Sequence, residues 1–357
     1  MKKLRLAIIG QGRSGRDIHG AFYRSNSNDV VEVVTVVELD PERRERALAE
    51  YPGCTVVADY RELLGRTDID LVVNDTYSDQ HYPITRELLL AGFNVLVEKP
   101  FARTRYECDE LIAIAEAKNL TLAVFQQSFY APIYKFTREI IESGKLGDIK
   151  QISIRYNGLG RRWDWQTLQM KVAGGLYNTG PHPVGFALGF LDFDDNARVA
   201  YSKLDSVLTS GDSDDYAKLI ITAPNRPVVD LEVSNLDAFS DFNLKLQGSR
   251  GTYKCTTSKW QMKYIVDGEN PDRPVIFESL KDENGLPKYC SEQLVKHEES
   301  GDFVGSAFDS AVSLFYHDLY ARITEGREML VTPIHAAKII SIIETAHAEN
   351  PLPVKFV

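Results

Sequence analysis

A lysine and a histidine in this chain stand where the oxidation of an alcohol would need them. Lys99 belongs to Glu98-Lys99-Pro100, which follows the apolar run Asn94-Val95-Leu96-Val97. If that run is a strand, Lys99 lies at its carboxyl end, where α/β sheets bind their ligands. An ammonium beside a carbinol lowers the effective pKa of the hydroxyl or carries its proton. Pro100 restricts Lys99 to extended geometry, which helps to fix its direction. His182 ends the stretch Gly174-Gly175-Leu176-Tyr177-Asn178-Thr179-Gly180-Pro181-His182. Histidine accepts a proton at neutral pH. A helix starting near Asn178 or Thr179 would put Asn178 and His182 on one face, one turn apart. Hydride removal from a secondary alcohol requires loss of the hydroxyl proton, so a His/Lys pair around one carbinol is chemically sensible. Plainer readings stay open from position alone: Lys99 in a surface ion pair, Asn178 capping a helix, His182 packed in a core.

Hydride also needs an acceptor. Gly10-Gln11-Gly12-Arg13-Ser14-Gly15 follows the apolar run Leu6-Ala7-Ile8-Ile9 and precedes a stretch of helical composition. A G-x-G-x-x-G loop has meaning in this context. The first glycine turns sharply off the strand, the second lets backbone N–H groups approach a pyrophosphate, and the third lets the helix pack on the sheet. The pyrophosphate then lies at the positive helix end. The run Val30-Val31-Glu32-Val33-Val34-Thr35-Val36-Val37 leads into Glu38. An acidic residue ~20 positions past the glycines can accept hydrogen bonds from the adenosine ribose hydroxyls. Its charge would repel a 2′-phosphate, so NAD is expected over NADP, although Arg43 and Arg44 could hold that phosphate.

A third cluster is Arg161-Arg162-Trp163-Asp164-Trp165-Gln166. Aromatic faces beside polar groups suit a sugar, with its apolar C–H faces and hydroxyl edges. The same tryptophans could serve a core or a subunit contact. His81, after the fourth apolar run, either lines the cofactor crevice or caps and packs a helix.

These residues need a scaffold. Residues 4–9, 30–37, 55–58, 71–74, 94–97 and 121–125 read as short strands, apolar on both faces. Helix-like segments at 13–24, 42–50, 60–65, 82–91 and 105–118 alternate with them, with Gly92 and Asn119 at C-cap positions. That alternation predicts a doubly wound parallel sheet. A helix over 133–143 follows, stopped at Gly144, and then period-2 runs at 149–156, 198–208, 217–222, 228–233, 243–246 and 251–255. These predict a large, mainly antiparallel sheet. Residues 260–304 read as a polar loop excursion, and helices at 308–325 and 333–349 close the chain. The expected fold is therefore α/β, an N-terminal Rossmann sheet over residues 1–123 and a C-terminal α+β domain with an open sheet over 124–357.

Composition agrees. The 357 residues fit two domains of ordinary size. Hydrophobic residues make up 43% and charged residues 26%, a globular balance. A formal net charge of −10 without a long basic run argues against a nucleic-acid or anionic-membrane partner. The N-terminal apolar run is too short for a signal peptide, and no run reaches the ~20 apolar residues of a membrane span. Cys54, Cys108, Cys255 and Cys290 lie far apart, without metal-ligand or disulfide spacing. A cytoplasmic chain with reduced thiols and no bound metal is expected.

Together, the glycine loop at residues 10–15, Glu38, Glu98-Lys99-Pro100, Glu142-Ser143-Gly144-Lys145-Leu146-Gly147-Asp148-Ile149, residues 174–182, Phe315-Tyr316-His317-Asp318-Leu319 and Val331-Thr332-Pro333 give the chain its affinity. It resembles the Gfo/Idh/MocA family, named for glucose–fructose oxidoreductase, inositol dehydrogenase and a rhizopine-catabolism protein, over nearly its whole length. The resemblance implies a Rossmann domain followed by an α/β domain whose open sheet often makes the dimer interface. It implies NAD(P)-dependent oxidation or reduction of a sugar, inositol or related polyol. By position Lys99 matches the family's active-site lysine, His182 its catalytic histidine and His81 a histidine after the fourth strand. The implied cofactor contacts are Gly10, Gln11, Gly12, Arg13, Ser14, Gly15, Glu38, Thr76, Tyr77, His81, Glu98, Lys99 and Gln127. The implied substrate contacts are Lys99, Arg162, Trp163, Trp165, Asn178, Thr179 and His182.

The chain departs from the family pattern at three places. Asn178 stands where aspartate is frequent, which leaves the base role to His182, alone or with Lys99. Thr76-Tyr77-Ser78 replaces Thr-Pro-Asn, so Tyr77 could pack near the nicotinamide. Gln126-Gln127-Ser128-Phe129-Tyr130 lacks the arginine many members carry, which favours a neutral substrate. The expected activity is hydride transfer at a ring carbon of a neutral sugar, cyclitol or glycoside, with C3 of a hexose as one such carbon. Two alternatives are a glycoside-cleaving enzyme that uses tightly held NAD transiently, and a non-catalytic NAD(H) sensor. A homodimer or homotetramer is the expected assembly.

Overall fold

The computed structural model describes residues 2–356; Met1 and Val357, the outermost residues of the two expected domains, lie outside the described residues. The first sheet contains β1 (Leu4–Ile9), β2 (Val31–Val37), β3 (Thr55–Val57), β4 (Leu71–Asn74), β5 (Val95–Val97) and β6 (Leu122–Val124). Their order is β3-β2-β1-β4-β5-β6 and all pairings are parallel. The order reverses between β1 and β4, which opens a crevice at the carboxyl ends of those strands. Most of β1, all of β4, β5 and β6, and the end of β2 are buried, as their mainly apolar sequences require.

Helices α1 (Gly20–Tyr23), α2 (Pro41–Glu50), α3 (His81–Leu90) and α4 (Arg105–Ala117) belong to this half. Asp40 caps α2 by accepting from the N–H groups of Glu42 and Arg43, and Thr104 with Glu107 forms a capping box on α4. Gly92 and Asn119 take positive φ after α3 and α4, +95° and +54°, as their C-terminal positions predict. The helix expected over 13–24 is different. Residues Arg13–His19 wind as a wider π-helical turn before α1. That turn carries His19 inward, where both its ring nitrogens are hydrogen-bonded. A π-turn of this kind often marks a functional site.

The second sheet contains β7 (Ile149–Asn157), β8 (Arg198–Asp205), β9 (Tyr216–Thr222), β10 (Val228–Ser234), β11 (Leu244–Gly248), β12 (Gly251–Cys255) and β13 (Lys259–Tyr264), and, after the short ribbon β14 (Leu280–Lys281) and β15 (Pro287–Lys288), β16 (His297–Asp302). The order is β16-β13-β12-β11-β7-β10-β9-β8, with only β7 and β10 parallel. The loop expected over 260–304 is thus corrected at both ends, where β13 and β16 pair from Lys259↔Asp302 to Tyr264↔His297. The edge strand β16 is charged and polar throughout, and β13 alternates Lys259, Gln261 and Lys263 with Trp260, Met262 and Tyr264, a short pattern that a reading based on apolar runs passes over.

Helices α5 (Pro132–Glu142), α6 (Gly175–Asn178), α7 (Pro181–Phe190), α8 (Ser310–Glu325) and α9 (Pro333–Glu349) complete the fold. Helix α7 covers β7 and β10, and α9 packs on α7, α4 and β6. The closing helices therefore return to the first sheet. The Arg105 N–H donates to Glu344 on α9 at 2.8 Å, and α8 packs on residues 127–130. The other face of the second sheet carries Arg155, Lys218, Asp230 and Glu232, with Arg155 and Asp230 paired at 2.6 Å. All four cysteines are free thiols, buried except Cys290. Among the described residues no helix is long and apolar enough to cross a membrane.

Candidate active site

The glycine loop closes on Asp75, the residue after β4. Gly10 has φ +102°, and a Cβ there would collide with the Asp75 carbonyl oxygen. A Cβ on Gly15 would collide with the Gly10 carbonyl and the Asp75 carboxyl. Gly12 is different: a Cβ there meets no atom within 4 Å. Gly10 and Gly15 are thus required by the fold, while Gly12 faces open space that a pyrophosphate can enter. Arg13 is exposed beside it.

Glu38 is 9% exposed at the end of β2. Its carboxylate accepts from the N–H of Gln11 at 2.8 Å and of Asp40 at 3.0 Å. A carboxylate has lone pairs to spare after two such bonds, so ribose hydroxyls fit here. Arg43 lies 3.7 Å away and Arg44 donates to the Glu38 carbonyl at 2.6 Å. The buried Gln11, Gln126 and Gln127 side chains each leave an amide oxygen without a partner. Unsatisfied buried acceptors beside an open glycine turn fit a ligand rich in hydroxyl and amide donors, as NAD(P) is.

Below the loop is a polar cluster that sequence reasoning did not assemble. Glu98 accepts from Ser14 Oγ, from the Lys99 N–H at 2.8 Å and from His19 Nε2 at 3.1 Å. His19 Nδ1 meets the Tyr316 hydroxyl at 2.6 Å, and that hydroxyl meets Tyr23 at 2.5 Å. Tyr316 comes from α8, so the second half of the chain supports the loop from below. Burial pushes both Asp75 and Glu98 upward. The His19 hydrogen bond and charge overcome this for Glu98 and hold it low, whereas the Glu98 charge raises Asp75 further. Two adjacent carboxyls are therefore pushed in opposite directions by their surroundings.

His81 lies under the crevice. Burial lowers its pKa, and its ring nitrogens meet the carbonyls of Pro100 at 2.6 Å and Thr76 at 3.3 Å. It ties the segment after β4 to the one after β5, and acts on the crevice through Thr76 and Pro100. Thr76 Oγ1 donates to Asn74 at 2.8 Å.

Lys99, at the end of β5, donates from Nζ to the Asn178 carbonyl at 3.1 Å. The helix expected to begin near Asn178 is broken in two. Asn178 ends α6, Thr179 and Gly180 form the joint, and α7 starts at Pro181. Proline at the first helical position and the tight packing of Gly180 on Leu176 make this break. Asn178 is consequently no cap: its amide donates to the Gln166 carbonyl at 2.9 Å. His182, in the first turn of α7, meets Ser128 Oγ through Nδ1 at 3.1 Å, and Ser128 was not singled out from sequence. His182 Nε2 makes no hydrogen bond among the described residues. Burial, then the Lys99 ammonium, push the His182 pKa down to about 3. The imidazole is neutral at physiological pH and would pass on, rather than retain, a proton taken from an alcohol. The C2–H proton signal of His182, identified by its loss in His182→Ala, should not move between about pH 5 and pH 8. Titration near the ordinary histidine value, ~6.5, would contradict this.

The rim joins both halves. Trp165 lies 4.8 Å from Tyr77, ring to ring, and Lys171 pairs with Asp79 at 3.1 Å while lying 5.2 Å over the Tyr77 ring. Gln166 links this rim to Asn178 and hence to Lys99. Trp163 and Arg162 are not gathered in: Trp163 is 77% exposed, and Arg162 pairs with Asp164 at 3.1 Å.

A parallel sheet with a glycine turn at its switch point, an acidic residue ending β2 and a lysine ending β5 defines a dinucleotide-dependent oxidoreductase. The chain belongs to the GFO/IDH/MocA family: the family model described as "Oxidoreductase family, NAD-binding Rossmann fold" matches residues 4–126, and that of the GFO/IDH/MocA C-terminal domain matches residues 134–254. The protein is an NAD(P)-binding oxidoreductase. It is 25% identical over 280 residues to an uncharacterized oxidoreductase of Schizosaccharomyces pombe, covering 77% of this chain and 76% of that one. It is 27% identical over 181 residues to scyllo-inositol 2-dehydrogenase (NADP(+)) IolW of Bacillus subtilis, covering 50% and 49%. It is 30% identical over 205 residues to a dTDP-3,4-didehydro-2,6-dideoxy-alpha-D-glucose 3-reductase of Streptomyces antibioticus, covering 56% and 60%. In fold it is similar to the oxidoreductase YvaA of Bacillus subtilis, with a TM-score of 0.79 at 18% identity over 97% of this chain and 95% of that one.

Proposed function

We propose that the protein is an NAD-dependent oxidoreductase acting on a ring hydroxyl or keto carbon of a neutral sugar, cyclitol or glycoside. The observation that carries this reading is Lys99 held on the Asn178 carbonyl with a neutral His182 in the field of its ammonium. NAD, when bound, supplies the hydride acceptor at its nicotinamide. Lys99 polarises the substrate oxygen, and His182 takes the hydroxyl proton, with Ser128 steadying its ring. Asn178 fixes Lys99 through its carbonyl, and its remaining amide valences are available to a neighbouring hydroxyl. Trp165 and Tyr77 offer aromatic faces for the apolar side of a ring. In this division the domain up to residue 123, with Gln127, holds the cofactor, and the domain from 124 onward, with Lys99 and Tyr77, holds the substrate, while the charged open face of the second sheet is where a second copy pairs.

The buried Gln126-Gln127-Ser128-Phe129-Tyr130 segment supplies no cation, and Lys171 is already paired with Asp79. Those features support a neutral substrate, as does the inositol acted on by the Bacillus subtilis relative. Initial rates of NADH formation with inositols, hexoses and glycosides, set against uronates and sugar phosphates, test the class. The neutral compounds are expected to react, and turnover confined to the anionic ones would overturn it.

Glu38 supports NAD over NADP. Glu38→Gln removes the charge that repels a 2′-phosphate and weakens the ribose contact. A charge-assisted hydrogen bond contributes ~1.5 kcal/mol or more, so the NAD-to-NADP affinity ratio should fall about tenfold. Titration of both cofactors into parent and variant checks this, and a parent that binds NADP more tightly would contradict it.

A further inference from the structure

Away from the crevice, Gly211-Asp212-Ser213-Asp214-Asp215 runs behind α6, and its aspartates differ in their surroundings. Asp215 accepts from the N–H groups of Val207, Leu208 and Thr209 at 2.6–2.7 Å. Asp212 accepts from Gln169 at 2.9 Å, Lys355 at 2.9 Å and Phe356 at 3.3 Å. Both have the donors a buried carboxylate needs. Asp214 is 2% exposed and has one, the Leu176 N–H at 2.7 Å to Oδ2. Its Oδ1 is buried without a partner, and so is Nε2 of His347, near the end of α9. These two atoms are 3.7 Å apart. Two complementary buried atoms face each other, and neither has anything else to bond.

We propose that Asp214 and His347 share one proton, and that this neutral pair braces the α6 turn against α9. The local packing is built around it. Gly174, at φ +118°, lies so close to the Asp214 carboxyl that a Cβ would collide with it. The Gly175 N–H donates to the Asp214 carbonyl at 2.7 Å. The His347 ring stacks on Tyr177 at 4.8 Å and 18°, and the Tyr177 hydroxyl donates to the Arg103 carbonyl at 2.7 Å. The pair therefore holds α6, which ends in Asn178, and reaches the segment that follows Lys99. That consequence depends on the role proposed for Lys99. The shared proton does not, so unfolding rather than turnover is the readout.

The charged groups around the pair are otherwise engaged. Asp212 and Asp215 flank it on its own segment. Glu344 on α9 accepts from the Arg105 N–H, Glu107 is occupied in the α4 capping box, and Arg103 donates to the Met170 carbonyl at 3.1 Å. Burial raises Asp214 to about 7 and lowers His347 to about 4. The unfolded values are ~3.9 and ~6.5. Between about pH 4 and pH 6.5 the folded pair and the unfolded chain therefore each hold one proton, and the two contributions cancel.

Single substitutions should expose opposite slopes. In Asp214→Asn the folded His347 is neutral while the unfolded one is protonated. The folded state then binds one proton fewer, and stability rises with pH. In His347→Phe, which keeps the stack on Tyr177, folded Asp214 holds a proton that the unfolded chain has lost, and stability falls as pH rises toward 7. Each slope approaches a tenfold change in the unfolding constant per pH unit. Urea unfolding of the full chain from about pH 5 to pH 6.5 measures both. The infrared carbonyl band of a protonated carboxylic acid near neutral pH, reduced in Asp214→Asn, gives a second test that needs no other variant, should His347→Phe fail to fold. Opposite slopes relative to the parent, or reduction of that band in Asp214→Asn, support the shared proton. Parallel pH dependences in all three proteins, or a band unchanged in Asp214→Asn, overturn it.

Discussion

Lys99→Ala is expected to slow hydride transfer by about 10²–10⁴-fold, the range attributed to a positioned proton-transfer group. Two effects contribute. The ammonium that polarises the substrate oxygen is lost, and so is the 3.1 Å hydrogen bond from Nζ to the Asn178 carbonyl that joins β5 to the end of α6. NADH affinity should change less than the rate, because the Lys99 side chain bonds to Asn178 and not to the glycine loop or Glu38. Lys99→Arg restores a cation but replaces a point charge with a planar fork, so it should recover a small part of the rate. Single-turnover rates and NADH titrations separate the two quantities. A parent-like rate in Lys99→Ala would remove Lys99 from the chemistry.

The second large effect divides the three loop glycines. Gly10→Ala should destabilise the fold by about 2–5 kcal/mol and Gly15→Ala by about 1–3 kcal/mol, since backbone strain and overpacking each cost ~1–3 kcal/mol and only Gly10 meets both. Gly10 combines φ +102° with a collision at the Asp75 carbonyl, and Gly15 collides with Gly10 and Asp75. Gly12→Ala meets nothing within 4 Å and has an ordinary φ of −72°. It should fold like the parent and bind NAD more weakly by roughly 10–100-fold, the loss of one or two hydrogen bonds to a charged group. Thermal unfolding together with NAD titration distinguishes these outcomes. A Gly12→Ala variant that melts as early as Gly10→Ala would show that this glycine, too, serves the fold.

Much of this architecture was legible in local signals. The apolar stretches Leu6–Ile9 of β1, Leu71–Val73 of β4 and Val95–Val97 of β5 have no polar interruption, as strands buried on both faces require. Gly92 and Asn119 marked helix ends through the positive φ they tolerate. The glycine loop, Glu38 and Lys99 follow strands directly, so strand recognition was enough to place them. The remainder depended on tertiary partners. His182 and Asn178 were expected on one helix, but Pro181 and Gly180 divide the turn between them, and composition alone does not locate such a break. Strand β16 is hidden by its charged residues, and β13 by having only three apolar positions set in a polar stretch. His19, Asp75, Ser128, Asp214 and His347 are separated by tens to hundreds of positions from the groups they touch, and no spacing announces them. Arg162 and Trp163 had a composition suited to sugar binding, yet they face solvent on a loop whose direction the sequence does not encode.

The most direct test of the central claim uses the protein loaded with NAD. It is incubated with one neutral sugar, cyclitol or glycoside at a time, then denatured, and the oxidation state of the released cofactor is measured. NADH formed with one of these classes, at a rate lost in Lys99→Ala, is the predicted result. Bound NAD that no neutral compound reduces, or reduction that proceeds equally fast in Lys99→Ala, would contradict the account.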